Sequence, residues 1–335
     1  MFSKVSSFGL VGLNGIKIEV EVDTSTGLPS YDIVGLPDTA VKESRERVRS
    51  AIKNSGLKFP QNKITVNLAP ANIKKAGPNF DLPIAIAILV SSGQVITDKY
   101  SKFIIVGELG LNGKLKPIMG LLPAIISARE QGYTNFIVPE ANKNEASYIE
   151  GINVYALGTL ADVVSFLNNA YNILPVENKI WNAEDSDKVT EDFARVKGQK
   201  IAKRAMEIAV SGGHNILMVG PPGAGKTMIA KCVPSIMPNL TFDEALEITK
   251  IHSVAGELDL KKGVISSRPF RSPHHTASMV ALTGGGKDAK PGEVSLATDC
   301  VLFLDELPEY SRSTLETLRQ PLEDGVITVS RASGT

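Results

Sequence analysis

Apolar and polar positions alternate between Gly15 and Val22, with Ile16, Ile18, Val20 and Val22 on one side of the chain. A period of two belongs to a strand with one buried face, and residues 5–67 are strand-like apart from one interruption. That interruption is a helix predicted over 39–54: Asp38 can cap it, and Val41, Val48 and Ile52, spaced by seven and four, share one face. Residues 64–68 read as a strand again. Beyond them, apolar helices at 81–90, 121–130 and 160–167 alternate with short strands at 103–106 and 135–138, an α/β layout.

Polar and acidic residues then take over. Glu177, Glu184, Asp185, Asp187, Glu191 and Asp192 mark residues 172–192 as a linker, with Trp181 as its one apolar docking residue. The chain is therefore expected to comprise a first domain over 1–171, this linker, and a second α/β domain over 193–335.

The second domain carries the strongest chemical signal. Gly220-Pro221-Pro222-Gly223-Ala224-Gly225-Lys226-Thr227 satisfies the P-loop spacing without mismatch. Residues 215–219 read as a buried strand leading into it, and Met228 opens the helix that follows, so backbone N–H groups are directed at a phosphate. The glycines let the backbone curl around phosphates, Lys226 supplies a point charge to the β and γ oxygens, and Thr227 offers a hydroxyl to Mg²⁺. Further on, an apolar strand over 300–304 ends in Asp305-Glu306. Asp305 can hold Mg²⁺ while Glu306 polarises the attacking water, which is what phosphoryl transfer to water requires. The expected ligands are ATP and Mg²⁺. A chance glycine-rich turn and an ordinary acidic strand end are the plainer explanations, but they do not account for the two occurring together.

Composition narrows the remaining choices. The 335 residues are 43% apolar, as in an ordinary globular protein, and 36 basic residues balance 36 acidic ones. No global field advertises a polyanionic partner, so any nucleic-acid surface must be local. Lys261, Lys262, Arg268, Arg271, Lys287 and Lys290 flank Gly284-Gly285-Gly286 and form either a pore-facing basic loop or a solvated surface. The helix at 39–54 is basic too, but Glu43 and Glu46 interleave, which favours a solvent face. Two distant cysteines, Cys232 and Cys300, make no disulfide framework and suit a reducing, cytoplasmic setting. The longest apolar run, 82–90, is too short to cross a bilayer. His274 and His275 show no zinc spacing with the cysteines and read as a turn before a helix.

With these motifs in hand, the sequence resembles the YifB/ComM family of magnesium-chelatase-related AAA+ ATPases. The likeness rests on Gly198-Gln199, the P-loop, Arg271-Ser272-Pro273-His274-His275, Pro291-Gly292-Glu293 and Leu304-Asp305-Glu306-Leu307-Pro308-Glu309. The resemblance implies a ring-forming, hexameric AAA+ ATPase core, with DNA branch migration described within the family. It also implies that the first domain is a Lon-protease-type α+β domain with the ribosomal S5 domain 2-like fold. There Lys75-Ala76-Gly77-Pro78-Asn79-Phe80-Asp81 resembles the Lon stretch bearing the nucleophilic serine, with Asn79 in its place. Gly107 through Leu122 resembles the part that supplies the catalytic lysine, with Leu122 in its place. An amide cannot become an attacking oxyanion and leucine accepts no proton, so no Ser-Lys proteolysis is expected. Ser91, Ser92, Lys114 and Lys116 read as helix-end and loop residues rather than substitutes. Relatives continue beyond 331–335 into sensor 1, an arginine finger, sensor 2 and a helical lid, so this chain is expected to bind ATP better than it hydrolyses it.

Four functions compete at this point: a DNA translocase or branch-migration helicase, which leads; a chelatase-type protein remodeller; a Lon-like peptidase, which is disfavoured; and a nucleotide-binding remnant.

Overall fold

The computed structural model describes residues 1–183, 191–286 and 290–327. Of the residues singled out above, Glu184, Asp185, Asp187, Lys287 and 331–335 lie outside that set. The chain forms two compact units, residues 1–180 with 256–264, and residues 181–255 with 265 onward.

The first unit is built on a seven-stranded mixed sheet in the order β3-β4-β2-β1-β5-β8-β9. Its first half comprises β1 (Phe2–Val11), β2 (Asn14–Ser25), β3 (Ser30–Val34), α1 (Thr39–Asn54), β4 (Lys63–Ala69) and α2 (Asp81–Ser91). The second half is short-stranded, with β5 (Ile104–Ile105), the hairpin β6 (Glu108–Leu109) and β7 (Leu115–Lys116), α3 (Leu121–Glu130), β8 (Asn135–Pro139), α4 (Lys143–Ala146), β9 (Asn153–Leu157) and α5 (Leu160–Leu167). β1 pairs antiparallel with β2 through Val5↔Val20, and β2 pairs antiparallel with β4 through Val22↔Val66. β1, β5, β8 and β9 run parallel. β9 is the one strand of the main sheet after β4 that periodicity did not reveal, because Asn153-Val154-Tyr155-Ala156-Leu157 is too short to show a period.

The two-residue period sorts β1 onto two faces. Ser3 donates to the Ala87 carbonyl of α2 at 2.7 Å, whereas Phe8, of opposite parity, meets the Tyr133 ring just beyond α3 at 5.8 Å. Helices thus lie on both faces. α2 is apolar all round, and Leu82 through Leu89 are all buried, as expected of a helix enclosed between the sheet and α1. α1 begins where the sequence places it, with Asp38 Oδ1 accepting from the Val41 amide at 2.8 Å and Val41, Val48 and Ile52 buried.

One charge on α1 turns inward. Arg47 donates from Nε to Asp81 Oδ2 at 2.7 Å and from a terminal nitrogen to Oδ1 at 3.0 Å, and the Leu109 amide also reaches Oδ2 at 3.2 Å. Asp81 is fully buried. Burial raises its pKa above the ordinary carboxylate value, and the Arg47 guanidinium pulls it part of the way back. This bidentate pair fixes the start of α2 against α1 and the β6 hairpin. The interleaved charges of α1 had suggested a solvent face only, but Arg47 belongs to the interior.

The second unit holds α6 (Lys200–Gly212), α7 (Lys226–Cys232), α8 (Phe242–Ala255), β10 (Phe270–Arg271), α9 (Met279–Thr283), α10 (Glu293–Leu296), β11 (Val301–Leu302), α11 (Arg312–Glu316) and α12 (Arg319–Asp324). Its core gathers Phe193, Val196, Met206, Ile229, Cys232 and Val233, and Trp181 docks on Phe242 with ring centroids 5.8 Å apart. Two expectations need correction. Residues 215–219 form no strand: Leu217 is 72% and Val219 90% exposed, and only Met218 of this run packs on the core. A strand needs a neighbour to satisfy its ladder, and among the described residues this unit's only ladder is the parallel pair β10–β11, with Phe270↔Val301 and Arg271↔Leu302. For the same reason the strand expected over 300–304 shrinks to Val301–Leu302, half-buried rather than buried.

Removing one partner of a buried ion pair leaves an uncompensated charge, so Arg47→Met should destabilise the first unit by about 3–5 kcal/mol. Because the folded pKa of Asp81 lies above its unfolded value of about 3.9, folding disfavours the ionised form. That penalty is absent below the unfolded pKa and grows as pH rises through the folded one. Loss of the guanidinium enlarges it, so denaturant titrations should show a larger deficit at pH 8 than at pH 4.5. A deficit independent of pH would contradict this account.

Candidate nucleotide site

The loop between 220 and 227 turns on two glycines. Gly223 (φ 76°) and Gly225 (φ 86°) occupy the left-handed region, which side chains disfavour, and Gly225 leads directly into α7. Ala224 N donates to the Pro221 carbonyl at 3.3 Å and Ile229 N to the Gly225 carbonyl at 2.9 Å, so loop and helix are continuous. Lys226 sits at the first helical position. Its ammonium donates to the carbonyls of Gly220 at 2.9 Å and Pro221 at 3.1 Å, bridging the mouth of the loop. Phosphate oxygens are stronger acceptors than these carbonyls because both partners then carry charge.

The acidic pair arrives from the other side. After β11 the Phe303 amide donates to the Arg271 carbonyl at 2.8 Å, which carries the chain beyond the ladder towards Asp305. Thr227 Oγ1 donates to Asp305 Oδ2 at 2.9 Å, across 78 residues of sequence. A hydroxyl and a carboxylate thus meet at the loop, and hard oxygen donors are the set that Mg²⁺ takes alongside phosphate oxygens. Glu306 follows with φ 52° and donates its amide to Asp305 Oδ1 at 3.0 Å.

Met228, the last residue expected to border the nucleotide, is half-exposed on α7. Pro221, Pro222 and Gly223 are exposed on the outer turn of the loop.

Two neighbours were not foreseen. Gln199, itself left-handed at φ 47°, caps α6 and donates from Nε2 to the Ala224 carbonyl at 3.3 Å. His275 places Nδ1 3.3 Å from Glu306 Oε2. Gly198-Gln199 and the paired histidines carried the family likeness, but their spacing from the loop gives no hint of contact. The turn expected at His274-His275 is present, with the Ala277 amide on the His274 carbonyl at 2.8 Å ahead of α9. Among the described residues no cluster of three or more His, Cys, Asp or Glu could hold a metal.

Comparison with known proteins identifies the family. The family description "Magnesium chelatase, subunit ChlI" matches residues 192–335, and "Subunit ChlI of Mg-chelatase" matches 20–142. Competence protein ComM of Haemophilus influenzae is 46% identical over 333 residues, covering 98% of this chain and 65% of that protein. YifB of Escherichia coli is 44% identical over 329 residues, covering 98% of the chain and 64% of that protein. The chain belongs to the YifB/ComM magnesium-chelatase-like family. It spans about two thirds of the length of these relatives. Lon protease 2 of Bacillus subtilis is 27% identical over 164 residues, 44% of this chain and 29% of that protein.

For a YifB/ComM-family chain with Lon likeness, the surroundings of Asn79 and Leu122 matter. The Asn79 carbonyl accepts from the Gly107 amide at 3.0 Å, and Leu122 is fully buried in α3. Ser91 and Ser92 donate back to carbonyls of α2, and Lys116 pairs with Glu108 at 3.6 Å. Lys75 is almost wholly buried, donates to the Pro70 carbonyl, and has its pKa lowered by desolvation. None of these contacts joins a hydroxyl to an amine.

Other motif residues make contacts within the second unit. Arg271 grips Glu293 through two bonds of 2.7 and 2.8 Å, tying β10 to α10. Arg268 bonds the Pro238 and Asp299 carbonyls and lies 3.3 Å from Glu244. Two of the six basic residues proposed as a loop surface are therefore held internally, while Lys261 and Lys262 fall in the segment grouped with the first unit. At Gly292 a Cβ would lie 2.2 Å from the Gly284 amide nitrogen, so the Pro-Gly-Glu turn requires glycine. Gly292→Ala must displace backbone and should cost about 1–3 kcal/mol. Thermal unfolding of the variant checks this, and an unchanged Tm would show that the turn relaxes freely.

Proposed function

We propose that this chain is an ATP-binding AAA+ motor subunit that hydrolyses ATP. One observation supports this above the others: the Thr227 hydroxyl and the Asp305 carboxylate are hydrogen-bonded beside a P-loop whose spacing has no mismatch. In this reading the loop amides and Lys226 bind the phosphates, with Lys226 exchanging the Gly220 and Pro221 carbonyls for β and γ oxygens. Thr227 and Asp305 would hold Mg²⁺, which supplies neutralisation of charge on the transferred phosphoryl group. Glu306 takes a proton from the attacking water. Gly220 through Met228 border the nucleotide.

The first unit serves as a non-catalytic scaffold of the Lon-type, ribosomal S5 domain 2-like class. Its likeness to Lon proteases and the identities of Asn79 and Leu122 support that assignment. Assembly into a hexameric ring, a cytoplasmic location and DNA branch migration extend the reading by kinship. The described residues contain no helix long and apolar enough to cross a membrane. A protein substrate, as for a chelatase-type remodeller, is the second reading. It gains from the internal engagement of Arg268 and Arg271, which leaves less basic surface for phosphates.

Equilibrium binding and turnover test the central claim. Lys226→Ala should weaken Mg·ATP binding at least about tenfold. Glu306→Gln should bind normally and turn over about 10²-fold or more slowly. Turnover accelerated by forked DNA, with an effect that fades steeply as salt rises, selects the DNA reading. Turnover indifferent to DNA selects the protein reading, and normal ATP binding by Lys226→Ala overturns the site.

A further inference from the structure

Glu306, the residue assigned to the attacking water, has a backbone conformation that non-glycine residues adopt at a cost, and its carboxylate is 65% exposed. A solvent-exposed carboxylate is a poor general base unless something fixes it, because small misplacements at the reacting centre cost large factors in rate. The residue beside it is His275, whose Nδ1 lies 3.3 Å from Glu306 Oε2.

The histidine is itself held from several sides. Its ring lies on the His274 ring at a centroid distance of 4.1 Å and meets Tyr310 edge-on at 6.5 Å. His274 Nδ1 is 2.8 Å from Thr276 Oγ1, and the Tyr310 hydroxyl donates to the Pro273 carbonyl at 2.8 Å. The ladder that carries Asp305 to Thr227 also sets the start of this turn, since Arg271 pairs with Leu302. A ring clamped by its neighbours faces a carboxylate whose other contacts are few. The constraint therefore runs from the histidine to the glutamate.

We propose that His275 is the positioning residue of Glu306. Donating from Nδ1, it holds one carboxylate oxygen and leaves the other to accept the proton of the attacking water. This rests on the hydrolytic role given to Glu306 above.

Single-turnover ATP hydrolysis and ATP affinity, measured on the purified chain, separate the possibilities. His275→Phe keeps a ring between His274 and Tyr310 but has no donor. It should slow hydrolysis about ten- to a hundredfold with ATP affinity within about twofold of normal. His275→Asn, which places an amide donor near the Nδ1 position, should recover a substantial part of the rate. In a Glu306→Gln background, His275→Phe should cause no further loss, because the two residues act as one unit. A normal rate in His275→Phe, an equal fall in His275→Asn, or full additivity with Glu306→Gln would overturn the proposal. If the unsubstituted chain hydrolyses ATP and Glu306→Gln abolishes this while His275→Phe does not, the positioning role alone fails. If the unsubstituted chain is inert, the hydrolytic reading fails and takes this role with it.

Discussion

The hydrogen bond between the Thr227 hydroxyl and Asp305 joins two parts of the chain that local sequence does not connect. Thr227 is fixed by the first turn of α7, and Asp305 by the register of a ladder only two residue pairs long. Because the ladder is so short, the position of the acidic pair depends on what reinforces it. The Phe303 amide extends it by one bond, Arg271 anchors its other strand to Glu293, and Gly292 allows the Glu293 turn to approach the backbone of 282–284. Motifs far from the loop in sequence therefore help hold one carboxylate beside it.

The loop itself is held unevenly. On its helical side Gly225 and Lys226 continue into α7, and Gln199 reaches the Ala224 carbonyl from α6. On its leading side residues 215–219 have no ladder partner among the described residues, and Met218 alone enters the core. The cradle's shape is thus set by the helix, the two left-handed glycines and the Thr227 contact.

What could be read in advance divides along the range of the interaction. Capping of α1 by Asp38, the face shared by Val41, Val48 and Ile52, and the alternation in β2 depend on neighbours a few residues away. The loop's spacing belongs to the same class. Its approach to Asp305 could be inferred only because both motifs have known chemical uses. Strand formation at 215–219 was misread because an apolar run shows that burial would be favourable, not that a partner strand is available. Arg47 looked like one charge among several on α1, and nothing in its spacing predicts Asp81 as its partner. Gln199 and His275 were visible as motif members but not as neighbours of the site, because each contact closes a long excursion of the chain.

The two units engage their acidic side chains in different ways, and this bears on their roles. In the first, the one deeply buried carboxylate near the Lon-like stretch is matched by a guanidinium through both oxygens and by a backbone amide. A carboxylate so engaged and wholly shielded from solvent is out of reach of a substrate, which suits a scaffold. In the second, Asp305 is bound through one oxygen by a hydroxyl and through the other by a neighbouring amide, and among the described residues Glu306 has a histidine at one carboxylate oxygen. Neither carboxylate faces a guanidinium or ammonium group in these contacts. Asp81 thus has its charge matched inside the fold, whereas Asp305 and Glu306 are met in these contacts by a hydroxyl, a backbone amide and an imidazole, which leaves the acidic pair available for the ligand chemistry proposed for it.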